Sequence, residues 1–297
     1  MPRGRDNDLT TPGIIRRLSY HPWFIKAVRG VGLRGPARKA YYRWASPPQG
    51  IFRTERAGSS ACFITRTPEQ LRAVESGSMD GSLELLAHFL KGGDTFYDVG
   101  SHLGVYAILL AKVVGRGGLV AAFEPHRDTY GQLLENVSLN NLENVRAFQL
   151  ALGDQAGKAP LYIGKVTANF SLLPGAIVGS VGANAPSEAV RVVRGDDIAD
   201  SEGLPIPRAV KIDVEGFEYA VLQGLRRTLR DPQCELVCCE VHPRFLPEEV
   251  KPADIVRFLA SLGYTRVEGE PSDAPYHLIA YKLATATGES GTRPVPA

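Results

Sequence analysis

From Thr95 onward the chain alternates β-like and helix-like runs, and this alternation constrains the fold more than any other feature. Thr95 to Val99 reads as a strand, His102 to Val114 as a helix and Leu119 to Phe123 as a strand. Arg127 to Asn140 follows as a helix and Val145 to Leu150 as a strand. After an interruption, strands are expected at Ala209 to Asp213 and Glu235 to Val241, and helices at Glu215 to Arg230 and Ala253 to Gly263. Tyr264 to Glu268 and His277 to Lys282 are the last strands. Parallel strands need long crossovers, so the pattern predicts an α/β fold with helices on both faces of a mostly parallel sheet. Two closing strands without a helix between them predict an antiparallel edge hairpin.

The interruption, roughly 153 to 207, pairs two strand-like segments with a Gly/Ala/Ser-rich loop at 164 to 190. A loop of that length is either functional or passive, and a mobile wall on the substrate side is the favoured reading. Upstream, residues 50 to 67 read as a hairpin around a Gly-Ser turn. Leu83, Leu86 and Leu90 share one face of an amphipathic helix that ends at Gly92-Gly93. Residues 14 to 44 read as helical with breaks at His21-Pro22 and Gly35-Pro36, while the first 13 residues and the last 14 read as disordered.

Charge excludes some partners and leaves others open. The 297 residues carry a net charge of only +2, so nothing global points to nucleic acid. Up to Trp44, however, ten basic residues face only Asp6 and Asp8, a local +8 that leaves −6 for the rest. This segment is read as a solvated basic cap, or as a surface for anionic lipid headgroups or a phosphorylated substrate. Cys62, Cys234, Cys238 and Cys239 lack metal-ligand spacing, and neighbours on a strand point to opposite faces, so free thiols in a reducing cytoplasm are expected. No secretory h-region and no run of eighteen apolar residues is present.

In a parallel sheet ligands sit beyond the strand C-termini, so the residues ending each strand matter most. These ends carry Asp98, Glu124-Pro125, Asp154, Asp213 with Glu215, and Glu240 with His242. After Asp98 come Gly100, Ser101 and Gly104, which allow backbone to approach a ligand and leave a helix N-terminus facing it. The spacing G-x-x-x-G lacks the third glycine of a dinucleotide fingerprint, which counts against a nicotinamide cofactor. Glu124, twenty-four residues past Gly100, suits the two hydroxyls of a ribose, or else caps the next helix. A nucleoside without pyrophosphate fits this combination, and S-adenosylmethionine is one, its cationic sulfonium suited to an acidic rim.

The ordered set "FYDVGSHLGVYAILLA", "FEPHRDTYGQLLENVSLNN", "ALGDQAG", "KIDVEGFEYAVLQG" and "EVH" resembles the FkbM-type methyltransferase family over roughly Leu85 to Lys282. "KIDVEGFE" is the most specific element, supported by "FEP" and the spacing of Asn136 and Asn140. The resemblance implies a class I methyltransferase (Rossmann-like) fold, a seven-stranded sheet in the order 3-2-1-4-5-7-6 with strand 7 antiparallel. It implies S-adenosylmethionine as cofactor and O-methylation of a sugar, glycan or natural product. Carried over by position, it assigns Asp98, Gly100, Ser101, Gly104, Glu124, Pro125 and Asp213 to the cofactor, with Leu152, Gly153 and Asp154 near the adenine. Asp213, Glu215 and Gly216 would line the floor between cofactor and acceptor. The family usually has Ala-Asn where this chain has Ser101-His102.

For methyl transfer to an alcohol, His242 is the first candidate base, since its ordinary pKa suits neutral pH, with Asp213 and Glu215 as alternatives. Asp213, Glu240 and His242 could hold a divalent ion if they converged, but no metal is expected from the sequence. Lys211 is expected to pair structurally with a rim acid, and Glu218 to face solvent or a basic neighbour. The organisation expected is a basic extension at 1–80, a methyltransferase domain at 81–283 with the 153–207 insertion, and a tail at 284–297. The expected partner is a small-molecule or glycan acceptor and not nucleic acid, in the cytoplasm; a homodimer is one option for the assembly. The rival readings are a nicotinamide-dependent oxidoreductase and a non-catalytic S-adenosylmethionine-binding protein.

Overall fold

A computed structural model describes residues 50–76, 81–164, 170–173, 186–269 and 274–282. The readings for residues 14 to 44, for both termini and for most of the 164–190 loop lie outside these. Two antiparallel strands, β1 (Gly50–Arg56) and β2 (Ser59–Thr65), form the expected hairpin. Helices α1 (Pro68–Ser76) and α2 (Ser82–Phe89) follow. The main unit then runs β3 (Thr95–Val99), α3 (Val105–Val114), β4 (Leu119–Phe123), α4 (Arg127–Leu139) and β5 (Val145–Phe148). The interruption holds β6 (Ala151–Gly153), β7 (Gly157–Ile163), β8 (Phe170–Ser171), β9 (Ser187–Arg194) and α5 (Gly195–Glu202). The chain continues with β10 (Ala209–Ile212), α6 (Glu218–Gly224), α7 (Arg226–Arg230), β11 (Leu236–Val241), α8 (Pro252–Ser261), β12 (Arg266–Glu268) and β13 (Tyr276–Tyr281).

Seven strands form one sheet in the order β12-β13-β11-β10-β3-β4-β5. Numbered in chain order within that sheet and read from β5, this is 3-2-1-4-5-7-6, with β13 antiparallel to both neighbours. The strands of the sheet's centre are apolar on both faces. Tyr97, Val99, Val210, Ile212 and Cys239 face one buried cluster, and Phe96, Val120, Ala209 and Cys238 face the other. Adjacent cysteines thus belong to opposite layers, as strand geometry demands, and all four cysteines are free thiols. Leu83, Leu86 and Leu90 are buried together, as their spacing predicts.

Asn136 and Asn140 fall on one face of α4, along with Gln132, because residues four apart stack. Asn136 Oδ1 accepts from Ile64 N at 2.8 Å, and Asn140 bonds both Cys62 N and Cys62 O. Gln132 Nε2 donates to Ile64 O. The three amides act as a substitute strand along the open edge of β2, satisfying backbone groups that an edge leaves unpaired. The N-x-x-x-N spacing therefore docks the hairpin on α4.

The interruption is more ordered than expected at its ends. Its strands make a second sheet, β6-β9-β7-β8, with β7 and β9 antiparallel and β6 parallel to β9. Helix α5 within it was not anticipated; it is held by Asp196, whose carboxylate accepts from Arg227 N, Thr228 N and Thr228 Oγ1. The helix expected from His102 begins only at Val105, and the one expected from Glu215 begins at Glu218 and breaks at Leu225. In both cases a left-handed turn delays the start. Among the described residues no helix is long and apolar enough to cross a membrane.

Candidate active site

A cavity of about 290 Å³ opens beyond the C-termini of β3, β4, β10 and β11, where strand-order reasoning places a ligand. Of the residues singled out from sequence, Gly100, His102, Glu124, Pro125, Leu152, Asp213, Glu215, Glu240 and His242 line it. Asp98, Ser101, Gly104, Gly153 and Asp154 do not line it. Asp98 is fully buried and accepts from Ala107 N at 3.1 Å, tying the end of β3 to the first turn of α3. Ser101 Oγ donates to Asp98 O, and Gly104 caps α3 against Leu133. Gly153 packs against Phe217 and Val192, and Asp154 lies half-exposed in the turn after it. These five shape the turns that present the cavity wall.

The first of those turns explains Ser101-His102. Gly100 has φ +75° and His102 φ +49°, a left-handed region where Asn and His are enriched among residues with a side chain. The histidine here thus meets a backbone requirement that an asparagine also tolerates. That conformation points His102 N at Glu124 Oε2, 2.9 Å away, while His126 N donates to Glu124 Oε1 at 2.9 Å. Glu124 therefore anchors the entry to α4, as a capping role would predict. Each carboxylate oxygen still has a free acceptor position for a hydroxyl from the cavity. Burial pushes the Glu124 carboxyl up to about 7, against the two backbone donors and Lys211.

The second turn, Asp213 to Glu218, carries the other half of the site. Glu215 has φ +51° and Gly216 φ +100°, and Ser171 Oγ from the second sheet donates to Glu215 O. A non-glycine residue held in this region at a ligand cavity is stored strain of the kind found at working sites. Lys211 lies beneath, its ammonium 3.5 Å from both Asp98 and Asp213 and bonded to Gly100 O at 2.9 Å. The expected rim-acid pairing of Lys211 is thus made with two acids at once.

Glu218 departs from expectation: it is fully buried, and its Oε1 accepts from Gly216 N at 2.9 Å and lies 2.6 Å from His242 Nδ1. The helix starts three residues later than its pattern suggests, which rotates Glu218 inward. This contact leaves His242 Nε2 facing the cavity, 3.6 Å from Glu215 and 3.7 Å from Glu240. His277, a residue the sequence did not flag, lies 3.3 Å from the other oxygen of Glu240. Burial alone would lower the His242 pKa, but Glu218, Asp213 and Glu215 outweigh it and raise it to about 9. The imidazole is therefore protonated at neutral pH, contrary to the premise that its ordinary pKa suits it to act as a base. Burial lifts Glu215 to about 7, so this carboxyl is the group poised near neutrality. Asp213 sits below the usual carboxylate range, because Lys211, His242 and His277 together overcome its burial.

Sheet order and site together define a class I methyltransferase. The family model described as the methyltransferase FkbM domain matches residues 98–266, more than half of the chain, and the chain belongs to that family. Its cofactor is S-adenosylmethionine. Over 213 residues the chain is 28% identical to a hexuronic acid methyltransferase of Haloferax volcanii, covering 70% of this chain and 82% of that protein. It is also 28% identical over 154 residues to a methyltransferase of Sordaria araneosa, covering 43% of this chain and 59% of that one. Among solved structures, a SAM-dependent methyltransferase from Aquifex aeolicus superposes with a TM-score of 0.38 at 14% identity, covering 71% and 98% of the two chains.

Proposed function

We propose that this methyltransferase transfers the methyl group of S-adenosylmethionine to a hydroxyl oxygen of a sugar, glycan or related natural product. The observation that carries this reading is one cavity lined by Glu124 after β4 and, on the other side of β3, by Asp213, Glu215 and His242 after β10 and β11. The similarity to a hexuronic acid methyltransferase supports a sugar acceptor.

The residues present suit the cofactor. Glu124 has two free acceptor positions for the ribose hydroxyls, and Phe123, Pro125 and Leu152 offer an apolar wall for the adenine. The glycine turn at Gly100 brings bare backbone to the amino-acid end, near Asp213. When bound, the sulfonium supplies an electrophilic methyl carbon. A hydroxyl methylated there would have to lose its proton, so a base must lie beside it. Glu215 takes the proton. The His242 imidazolium, held by Glu218, donates to the acceptor oxygen and orients it. Leu161, Ser171 and Leu172 of the second sheet enclose the acceptor side.

S-adenosylhomocysteine at saturating concentration is expected to raise the Tm by several degrees by binding only the folded state, whereas NAD should leave it unchanged. Stabilisation by NAD alone would favour the oxidoreductase. Stabilisation by S-adenosylhomocysteine without methyl transfer to any uronic-acid or neutral glycoside would favour the non-catalytic binder.

Burial of Glu124 makes cofactor affinity pH-dependent near neutrality. The raised pKa of about 7 means that the ionised acceptor is present above that pH and is lost as pH falls through it. Affinity for S-adenosylhomocysteine should weaken about tenfold from pH 8 to pH 6, the arithmetic for one group of that pKa. The slope should vanish in Glu124→Gln. A flat profile in the native protein would remove Glu124 from the ribose.

A further inference from the structure

We propose that Asp213, Glu240 and His242 form a divalent-cation site at the acceptor end of this cavity, of the oxygen-rich kind that takes Mg²⁺ or Mn²⁺. The inference extends the O-methylation reading but does not depend on its chemistry being observed. One ligand atom from each of the three residues lies within 4.8 Å of the others. Mg²⁺ holds its donors at about 2.0–2.1 Å, so adjacent corners lie about 3 Å apart and opposite corners about 4.2 Å. Small side-chain shifts would bring the three groups to corners of one coordination sphere, with His242 giving up its Nε2 proton on binding and the remaining positions open to water and to an acceptor oxygen.

Proximity of acids alone would not suffice, and the histidine adds an independent indication. His242 is 4% exposed, and its Nε2 makes no hydrogen bond to any described residue; its nearest polar neighbours are the carboxylates of Glu215 and Glu240 at 3.6 and 3.7 Å. It is thus a buried nitrogen aimed into a cluster of negative oxygens. Its other nitrogen is fixed at 2.6 Å by the buried Glu218 carboxylate, the carboxylate–histidine arrangement that orients imidazole ligands. The remaining two residues are braced in the same way: Asp213 by the Lys211 ammonium at 3.5 Å and Glu240 by His277 at 3.3 Å. Each first contact thus has its own outer support, which a chance surface cluster lacks.

Charge argues in the same direction. Among the described residues, those lining the cavity include Glu124, Asp213, Glu215 and Glu240 but no lysine or arginine. Among the described residues, an acceptor offering vicinal hydroxyls or a carboxylate would meet mainly acids there, beside His102, Ser171 and His242. A cation held by the three residues would give such oxygens a positive partner and bring a hydroxyl beside Glu215.

The test uses metal alone. The full-length protein, dialysed against EDTA and then freed of chelator, is titrated with MnCl₂ while free Mn²⁺ is followed by electron paramagnetic resonance. One saturable site per chain is expected, displaced by excess Mg²⁺. Glu240→Gln and His242→Gln should each weaken it at least tenfold, and Glu218→Gln should weaken it by roughly ten- to a hundredfold through ligand orientation. Far-UV circular dichroism and the S-adenosylhomocysteine thermal shift report whether each variant is folded. No saturable binding up to 1 mM (about the weakest affinity at which such a site would matter), or binding unchanged in folded Glu240→Gln and His242→Gln, overturns the site. Either outcome leaves metal-free O-methylation standing, whereas loss of the thermal shift in the native protein would challenge the cofactor reading instead.

Discussion

Lys211→Met is expected to lower folding stability by about 3–5 kcal/mol, the range for removing one partner of a buried charge cluster. The substitution keeps most of the side-chain volume, so the loss would be electrostatic. Lys211 alone bridges Asp98 and Asp213, and it bonds the carbonyl of Gly100 between them. Burial would lower its pKa, but Asp213 and Asp98 more than reverse this and hold the ammonium above its ordinary range. Without it, Asp98 would be left fully buried with only the Ala107 amide on one oxygen; its other oxygen has no hydrogen-bond partner. Denaturant unfolding should show the loss, and Asp98→Asn added to Lys211→Met should recover part of it by removing the stranded charge. A loss below about 1 kcal/mol would mean that the acids do not need this counter-charge.

The second large effect is expected from Gly100→Ala. A Cβ at this position would fall on the backbone oxygen of Asp213, and the residue's φ of +75° disfavours a side chain in any case. Neither strand can yield, because β3 and β10 are paired along their length. Overpacking and backbone strain together should cost roughly 3 kcal/mol or more. Affinity for S-adenosylhomocysteine should fall by at least about a hundredfold, since closing the β3–β10 gap displaces the turn that lines the cavity. Gly58→Ala is the control: its φ is +70°, yet nothing lies within 4 Å of the added carbon. It should cost only about 1 kcal/mol. Equal losses in the two variants would show that strain alone, and not the contact with Asp213, sets the requirement at Gly100.

The comparison of sequence with structure divides according to range. Strand ends such as Thr95–Val99 and Leu119–Phe123 were legible because period, apolar content and flanking glycines act locally. So were Glu124 and Asp213, since position at a strand end already fixes the rim. What a helical pattern could not reveal was the rotation imposed by left-handed Glu215 and Gly216. That turn moved Glu218 from an expected surface position to the buried side of His242. The same limit hid the raised pKa of His242, which depends on Asp213 and Glu215 of the turn after β10 and Glu218 of α6 meeting it in space. His277 was missed because its partner, Glu240, is set by the antiparallel register of β13 and not by any nearby motif. Helix α5 was missed because its anchor, Asp196, bonds residues 31 and 32 positions away.

The second sheet leaves the main fold at Ala151–Gly153 and returns beside it, where Val192–Arg194 pair in parallel with those same residues. Departure and return share one doorway. A segment attached in this way can lengthen, shorten or change composition without disturbing the register of the seven strands, since closing a longer loop costs little. The walls Leu161, Ser171 and Leu172 hang from it, while Glu124 and Asp213 stay on the seven-stranded frame. The architecture thus separates two kinds of wall: one fixed by the register of the seven strands, and one free to change by exchange of a single cassette.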